Sequence, residues 1–147
     1  FSLPINENQM KIDDFILHPQ LENDTILIGE LSLCRVLLMN DRRYPWLILV
    51  PKINDVCDVT EMSDDDRVLL FNEISRTAEK LKENFKPDRL NIAMLGNVVP
   101  QLHCHIIARF ESDNAWPKPV WGIDAPIPYD QTTREMTAQR LREILFA

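Results

Sequence analysis

The sequence is poor in cysteine. Its three cysteines, Cys34, Cys57 and Cys104, are an odd number without paired spacing. This argues against a disulfide framework and favours a reducing compartment. Two of the three lie within apolar runs. Because a buried cysteine usually behaves as a small hydrophobe, we expect these two thiols to pack in the core.

The sequence also lacks a long hydrophobic run. No segment approaches the roughly 20 consecutive apolar residues that a membrane-spanning helix needs. The stretch Phe1-Ser2-Leu3-Pro4 has neither the basic region nor the apolar region of a signal peptide. We therefore expect a cytoplasmic protein that does not contact membranes.

Positive charge is scarce as well. The 16 lysines and arginines are outnumbered by 23 aspartates and glutamates, so the formal net charge is −7. Interfaces with nucleic acid polymers are basic, which argues against DNA or RNA as the main partner. A small phosphorylated ligand is still compatible, because backbone amides, helix ends and a few cations can build a local electropositive site.

The chain contains the strand and helix signals of a single domain. Its 147 residues suffice for one well-packed core and are too few for two. Runs of strand-forming residues follow one another with no helix between the first three, which predicts an antiparallel sheet and the α+β class. The predicted strands are Ile26–Leu31, Leu33–Met39, Trp46–Val50 and Leu90–Met94, followed by the histidine-containing stretch described below.

A long helix follows the third strand. Ser63 can cap its first amides, and the acidic residues 64–66 complement the positive end of the helix dipole. Apolar residues recur at intervals of three and four through about residue 84. The predicted buried stripe is Val68, Phe71, Ile74, Ala78 and Leu81. We expect this helix to pack on one face of a sheet of about five strands.

The C-terminal third begins with a segment rich in proline and tryptophan. Residues 111–128 contain too many prolines for a regular helix or a central strand. We expect a rigid arm that buries Trp116 and Trp121 against the domain or a dimer partner. A last helix over residues 132–147 begins at Thr132 or Thr133, and its apolar positions are Met136, Leu141, Ile144 and Leu145. Residues 1–25 show no regular pattern, and the core of the single domain spans about 25–110.

The most informative stretch is Gln101-Leu102-His103-Cys104-His105-Ile106-Ile107, which holds two of the three histidines. Its alternation is typical of a β-strand, so Gln101, His103 and His105 share one face. The other face, formed by Leu102, Cys104 and Ile106, packs against the core. Two imidazoles on one face, roughly 7 Å apart at the backbone, can converge on one small ligand. They allow phosphoryl transfer, acyl transfer or metal binding.

A metal site needs additional ligands, because catalytic zinc takes about three protein donors and structural zinc takes four. His18, Cys57 or a carboxylate could join His103 and His105. His18 beside Pro19 also suits a capping residue. No second closely spaced ligand pair occurs in the chain, and we predict neither a metal nor a cofactor.

The stretch 101–107 resembles the signature of the histidine triad (HIT) family, in which three histidines alternate with hydrophobic residues. Gln101 stands where the first histidine is expected. The preceding Gly96–Pro100 loop, Arg109 after the motif and the strand-loop-strand of residues 36–52 agree with the family over about residues 25–110. The segment Trp116–Gly122 is similar to that of bacterial HIT-like hydrolases of unassigned substrate.

The resemblance implies a HIT-like α+β fold and a nucleotide-binding hydrolase or nucleotidyl transferase that cleaves a nucleotide conjugate at its α-phosphate. His103 takes the position of the nucleophile and would form a covalent nucleotidyl-imidazole, while its other ring nitrogen donates to the carbonyl of Gln101. His105 and the side chain of Gln101 would contact the phosphate. Asn40 matches the ribose-binding position, and Asn97 and Asn91 match polar positions of the phosphate pocket. No metal is required, and the family implies a homodimer.

Two departures from the family pattern affect catalysis. Gln101 replaces an imidazole, although its amide can still donate a hydrogen bond. Leu47 stands where many members have a histidine, within Tyr44-Pro45-Trp46-Leu47. A nucleotide-binding protein that has lost turnover and a His-x-His metal-binding protein are therefore the alternatives. In addition, Arg109 suits a surface ion pair, and the asparagines suit turns.

Overall fold

One antiparallel sheet of five strands forms the centre of the structure, a computed structural model that describes residues 14–147. In chain order the strands are β1 (Thr25–Glu30), β2 (Cys34–Met39), β3 (Trp46–Pro51), β4 (Arg89–Ala93) and β5 (Cys104–Arg109). The helices of the described residues are α1 (Pro19–Asp24), α2 (Asp64–Phe85) and α3 (Gln131–Phe146), with a short 3-10 turn at Val59–Glu61. The predicted α+β class is confirmed.

The order of the strands across the sheet is β1-β2-β3-β5-β4. Helix α2 carries the chain from β3 to the far edge, where β4 lies, and β5 returns between them. Every residue of β3 and of β5 is buried, as expected for strands covered on both faces. β1 and β4 are the two edges. Helix α1, within the segment predicted to be irregular, was not foreseen, and residues 1–13 of that segment lie outside the described residues.

Helix α2 begins where the sequence predicts, but its buried face is rotated. The Ser63 hydroxyl accepts a hydrogen bond from the Asp66 amide at 3.2 Å. The prediction that Val68 and Phe71 are buried is wrong, because their exposed fractions are 62% and 48%. The buried positions are Leu70, Glu73, Ile74, Thr77, Ala78 and Leu81.

Glu73 explains this rotation. Its carboxylate reaches the turn between β1 and β2 and accepts hydrogen bonds from the amides of Leu33 at 2.9 Å and Cys34 at 2.8 Å. A buried carboxylate with these partners is tolerated on the inward face. Thr77 also faces inward, and its buried hydroxyl is satisfied because it donates to the carbonyl of Glu73 one turn earlier.

Helix α3 begins one residue earlier than predicted. Asp130 is its N-cap, and the Asp130 carboxylate accepts from the amide of Thr133 at 2.8 Å and from its hydroxyl at 3.0 Å. Met136 is exposed, contrary to the expectation, whereas Ala138 and Leu141 are buried and Ile144 and Leu145 are half-buried.

Two apolar clusters cover the two faces of the sheet. As predicted, Leu102, Cys104 and Ile106 face the cluster that contains α2 and α3. Cys34 and Cys104 are buried free thiols and Cys57 is exposed. Burial raises the pKa of the Cys104 thiol to about 12, so this thiol is inert. The opposite cluster combines the strand residues Trp46, Ile48 and Ile107 with residues before α1 and within 111–128.

Residues 111–128, here called the arm, lie across this second face without forming a helix or strand. Ala115 and Val120 of the arm are buried against the sheet. Arg109 fastens the arm: its guanidinium pairs with Asp113 at 2.7 Å and donates to the carbonyl of Lys118 at 2.8 Å. The predicted ion pair of Arg109 therefore exists, but it is buried, since Arg109 is only 1% exposed. Within the described residues, no helix has the length and apolar character needed to span a membrane.

Candidate active site

His103 lies in the loop immediately before β5. Its Nδ1 is 2.6 Å from the carbonyl oxygen of Gln101. Because a carbonyl oxygen can only accept, Nδ1 carries the ring proton and Nε2 of the neutral imidazole keeps its lone pair. The nitrogen of His103 that can attack an electrophile or bind a cation is therefore Nε2.

His105 lies on β5 opposite Ile48 of β3 and carries the reverse arrangement. The indole Nε1 of Trp46, at the start of β3, lies 3.0 Å from Nδ1 of His105. Because an indole N–H can only donate, Nδ1 accepts, and the neutral ring holds its proton on Nε2. His105 therefore offers a hydrogen-bond donor where His103 offers a lone pair.

The two imidazoles form one compact pair. Their ring centroids are 5.0 Å apart, the planes meet at 72°, and each residue is 5% exposed. Burial lowers the pKa of His103, and the hydrogen bond to Gln101 only partly offsets this effect. Burial also lowers the pKa of His105 to about 3, and repulsion by a protonated His103 lowers it further. Both rings are thus neutral at neutral pH.

Trp121 of the arm closes one side of the pair. Its ring centroid is 5.1 Å from that of His105 and 6.0 Å from that of Trp46, both in edge-to-face geometry. The residue is 37% exposed, so one surface of the indole faces solvent beside the histidines. The expectation that the arm buries its tryptophans holds for Trp116, which is partly buried, better than for Trp121.

Gln101, like His103, precedes β5, which begins at Cys104, so only His105 of the three lies on the strand. Its side chain turns to the segment before α1: Oε1 accepts from the amide of His18 at 2.8 Å, and Nε2 donates to the carbonyl of Ile16 at 2.9 Å. The prediction that Gln101 lies on one strand face with His103 and His105 is therefore wrong. The side-chain amide of Gln101 binds the segment before α1, and the backbone carbonyl of Gln101 orients the ring of His103.

A model of the HIT domain matches residues 20–112 of the chain, which include both histidines and all five strands. The chain belongs to the histidine triad (HIT) family. Three solved bacterial HIT proteins support the assignment over nearly the whole length. No curated protein sequence matches the chain.

The HIT protein from Bradyrhizobium japonicum is 46% identical, with a TM-score of 0.86, over 90% of this chain and 98% of that one. The HIT protein from Sinorhizobium meliloti 1021 is 44% identical, with a TM-score of 0.88, over 91% and 99%. The histidine triad protein from Marinobacter aquaeolei VT8 is 43% identical, with a TM-score of 0.87, over 89% and 96%. The expected HIT-like fold is confirmed.

The three asparagines singled out by the HIT resemblance lie in different surroundings. The side-chain oxygen of Asn40 accepts from the amide of Tyr129 at 3.0 Å, and that of Asn91 accepts from Arg109 at 2.7 Å. Asn97 is exposed in the loop between β4 and β5. The first two are thus anchored by neighbouring segments, and their roles toward a ligand stay predictions.

His18 has the capping role that the sequence allows. Its Nδ1 accepts from the amide of Gln20 at 3.0 Å at the start of α1. Electrostatic repulsion from His18 adds to the lowering of the pKa of His103. Within residues 14–147, no three His, Cys, Asp or Glu side chains cluster in a way that could hold a metal ion.

Sequence reasoning missed Trp46 as a residue of the site. It also missed a buried structural carboxylate, Asp41, which pairs with Arg43 at 2.8 Å, while Arg43 donates to the arm carbonyl of Ile123 at 3.2 Å. Strand alternation could have placed Trp46 and Ile48 on one face. It could not show that β5 lies beside β3, which is the fact that brings Trp46 to His105.

Proposed function

We propose that this HIT protein binds a nucleotide conjugate and cleaves it at the α-phosphate through a covalent intermediate on Nε2 of His103. One observation carries the proposal: the bond from Nδ1 of His103 to the carbonyl of Gln101 leaves Nε2 unprotonated in a buried, neutral ring. Such a nitrogen is a nucleophile at neutral pH. Members of the family are generally nucleotide hydrolases or transferases, and some only bind nucleotides.

The proposed reaction has two steps. In the first, Nε2 of His103 attacks the α-phosphorus, a nitrogen–phosphorus bond forms, and the bond to the leaving group breaks. As phosphorus bonds to Nε2, the imidazole becomes cationic, and the carbonyl of Gln101 stabilises the proton on Nδ1. In the second step water, or another acceptor, attacks phosphorus from the side opposite Nε2, the nitrogen–phosphorus bond breaks, the proton of the attacking hydroxyl passes to solvent, and the nucleotide leaves as the ring returns to its neutral form.

His105 and the asparagines supply the binding contacts in this proposal. The Nε2–H of His105 donates to a non-bridging phosphoryl oxygen, where negative charge accumulates during both steps. Asn40 contacts the ribose hydroxyls, and Asn97 and Asn91 contact the phosphate side of the pocket. Gln101 contacts the substrate with the second N–H of its amide, since the first is bound to Ile16.

The donor geometry argues against metal binding by the histidine pair. A metal would need the lone pair of Nε2 of His105, which moves its proton to Nδ1. That proton would face the N–H of Trp46, at an N–N distance of 3.0 Å. We therefore assign neither a metal nor a cofactor to the reaction.

A binding protein without turnover is the second candidate, and two observations favour it. The Gln101 side chain is engaged by residues 16–18. Leu47, at the position of a family histidine, is fully buried on the opposite face of the sheet. The two histidines that surround the nucleophile in many family members are thus missing beside His103, at the positions of Gln101 and Leu47.

Hydrolysis of a nucleoside phosphoramidate and of a dinucleoside polyphosphate, measured with wild type and His103→Ala, separates the two candidates. We expect turnover by wild type, its loss in His103→Ala, and a nucleotidyl adduct detectable by intact mass in wild type. His105→Gln keeps the nucleophile and should still form the adduct, more slowly. Tight nucleotide binding without turnover or adduct would instead establish the second candidate.

We further propose a cytoplasmic homodimer that pairs through β4. This strand is an edge with an exposed apolar residue, Ile92, and the following loop exposes Leu95 and Val98. The other edge, β1, is covered: Arg142 of α3 donates to the carbonyls of Ile28 and Leu27, both at 2.9 Å. An open, partly apolar strand edge favours pairing with a second chain.

A further inference from the structure

We propose that Trp46 is a positioning residue that keeps His105 a neutral hydrogen-bond donor and prevents it from carrying a proton during catalysis. The inference rests on the proposed function for its catalytic meaning, but the hydrogen bond itself can be tested without any substrate. Its basis is the contact between the indole Nε1 of Trp46 and Nδ1 of His105 at 3.0 Å.

The chemistry of the two groups restricts His105 to one state. The indole offers only a donor, so Nδ1 must keep its lone pair for the contact to exist. Protonation of His105 adds a hydrogen to Nδ1, which places two N–H groups head to head inside a buried cluster. Losing that hydrogen bond and burying a charge both oppose the imidazolium form. His105 can therefore give a hydrogen bond through Nε2 but cannot deliver a proton.

The surroundings hold Trp46 in place. The indole is 6% exposed and packs edge to face against Tyr44 at 6.3 Å and Trp121 at 6.0 Å. The register of β3 against β5 also positions the indole: Trp46 lies opposite Ile107, which is two residues beyond His105 and on the same face of β5. An indole confined on both sides can hold the imidazole in one orientation through its single donor.

His103 is the titratable group that faces His105 on the side away from Trp46. Its ring is 5.0 Å from that of His105, and once phosphorylated it is cationic. A second cation at His105 would be repelled at that stage. The indole bond thus keeps His105 in the state that tolerates a cationic intermediate beside it.

Nitrogen-15 NMR of the histidine side chains in the nucleotide-free protein tests the proposal. In wild type we expect an unprotonated Nδ1 and a protonated Nε2 on His105 across about pH 5 to 8, and a scalar coupling through the hydrogen bond to Trp46 Nε1. Trp46→Phe keeps an aromatic ring and removes the donor. In that variant His105 should take up a proton at a pH at least about one unit higher than in wild type.

Trp121→Phe is the matched control, because Trp121 touches the same imidazole edge to face at 5.1 Å without a hydrogen bond to it. This variant should leave the titration of His105 as in wild type. A wild-type spectrum with the proton on Nδ1, or equal titration curves in wild type and Trp46→Phe, overturns the proposal. If Trp46→Phe does not fold, the wild-type spectrum and its coupling still decide.

Turnover provides the link to catalysis. In Trp46→Phe we expect kcat to fall by about tenfold or more, with little change in KM, because a misplaced donor stabilises the transition state less. If the NMR results hold but wild type shows no turnover, the positioning role of Trp46 stands and the proposed function fails. If wild type turns over but the NMR results do not hold, the proposed function stands and the positioning role of Trp46 fails.

Discussion

His103 and His105 are chemically identical side chains with different hydrogen-bond partners. The acceptor beside His103, a carbonyl, places the ring proton on Nδ1, whereas the donor beside His105, an indole, places it on Nε2. The pair therefore contains one nucleophilic nitrogen and one N–H donor, both in neutral rings. One ring offers a lone pair and the other a donor, and the ring centroids are 5.0 Å apart. This arrangement suits a reaction in which one group attacks a phosphoryl group and the other binds its oxygens.

The neutrality of His105 predicts a preference for the leaving group. A substrate whose leaving group departs as a stable anion, such as a phosphoanhydride, needs no proton donor, whereas an amine must be protonated as it leaves. Since general acid catalysis contributes roughly 100-fold or more, we expect kcat/KM for a dinucleoside polyphosphate to exceed that for a phosphoramidate by about this factor. Competition kinetics with both substrates give the ratio, and a preference for the phosphoramidate would contradict the prediction.

The low pKa of His105 also predicts an acid-sensitive fold. Its pKa is about 3 in the folded protein, whereas an unfolded histidine titrates near 6.5. Above pH 6.5 both states are neutral and the group has no effect. As the pH falls below 6.5, only the unfolded state binds the proton, so the free energy of unfolding falls by up to about 1.4 kcal/mol per pH unit.

His105→Gln removes this contribution, because glutamine does not titrate and its side-chain oxygen can accept from Trp46. We expect the variant to be less stable than wild type at neutral pH but to lose about 2 kcal/mol less between pH 6.5 and pH 5. Urea unfolding at a series of pH values measures both slopes. Parallel slopes would show that His105 titrates normally in the folded state.

At the scale of the elements, Gln101 joins the loop before β5 to the segment before α1. Its two hydrogen bonds, to His18 and Ile16, resemble the pairing of one strand with another. Gln101→Ala should lower the free energy of unfolding by about 1 to 2 kcal/mol and speed hydrogen exchange of the His18 amide. Gln139→Ala, on the exposed side of α3, is the control and should change neither quantity. Unchanged exchange at His18 would contradict this role for Gln101.

Local patterns predicted those parts of the fold that depend on local spacing. The alternation of Leu102, Cys104 and Ile106 correctly assigned the core-facing side of the histidine stretch, because side chains of a strand alternate by geometry alone. The start of α2 at Ser63 was equally predictable, since an N-cap acts within its own first turn.

Features that depend on distant partners were not predictable in the same way. Glu73 faces inward because amides 40 and 39 residues away, at Leu33 and Cys34, bind its carboxylate. Trp46 joins the site because the register of β3 against β5 places it near His105, 59 residues further along the chain. The periodicity of the sequence predicts neither the contacts of Glu73 nor the contact of Trp46 with His105, because both form only when distant elements pack together.

At the scale of the whole molecule, the two edges of the sheet differ, and this asymmetry predicts how two chains associate. Ile92 on β4 and Leu27 on β1 are similarly exposed, at 48% and 53%. We expect wild type to be dimeric and Ile92→Lys to be monomeric, because a charge on a pairing edge disfavours strand association. Leu27→Lys is the matched control and should stay dimeric. Sedimentation or light scattering distinguishes these outcomes, and a monomeric Leu27→Lys would place the interface on β1.

The guanidinium of Arg142 has a consequence for the size of the assembly. By occupying the carbonyls of Leu27 and Ile28, it removes acceptors that another strand would use at that edge. If two chains pair through β4, both outer edges of the combined sheet are β1 strands whose carbonyls already accept from Arg142. For the dimer proposed above we therefore expect growth to stop at a closed pair with twofold symmetry rather than to continue into a fibre, with one arginine of the C-terminal helix preventing further polymerisation.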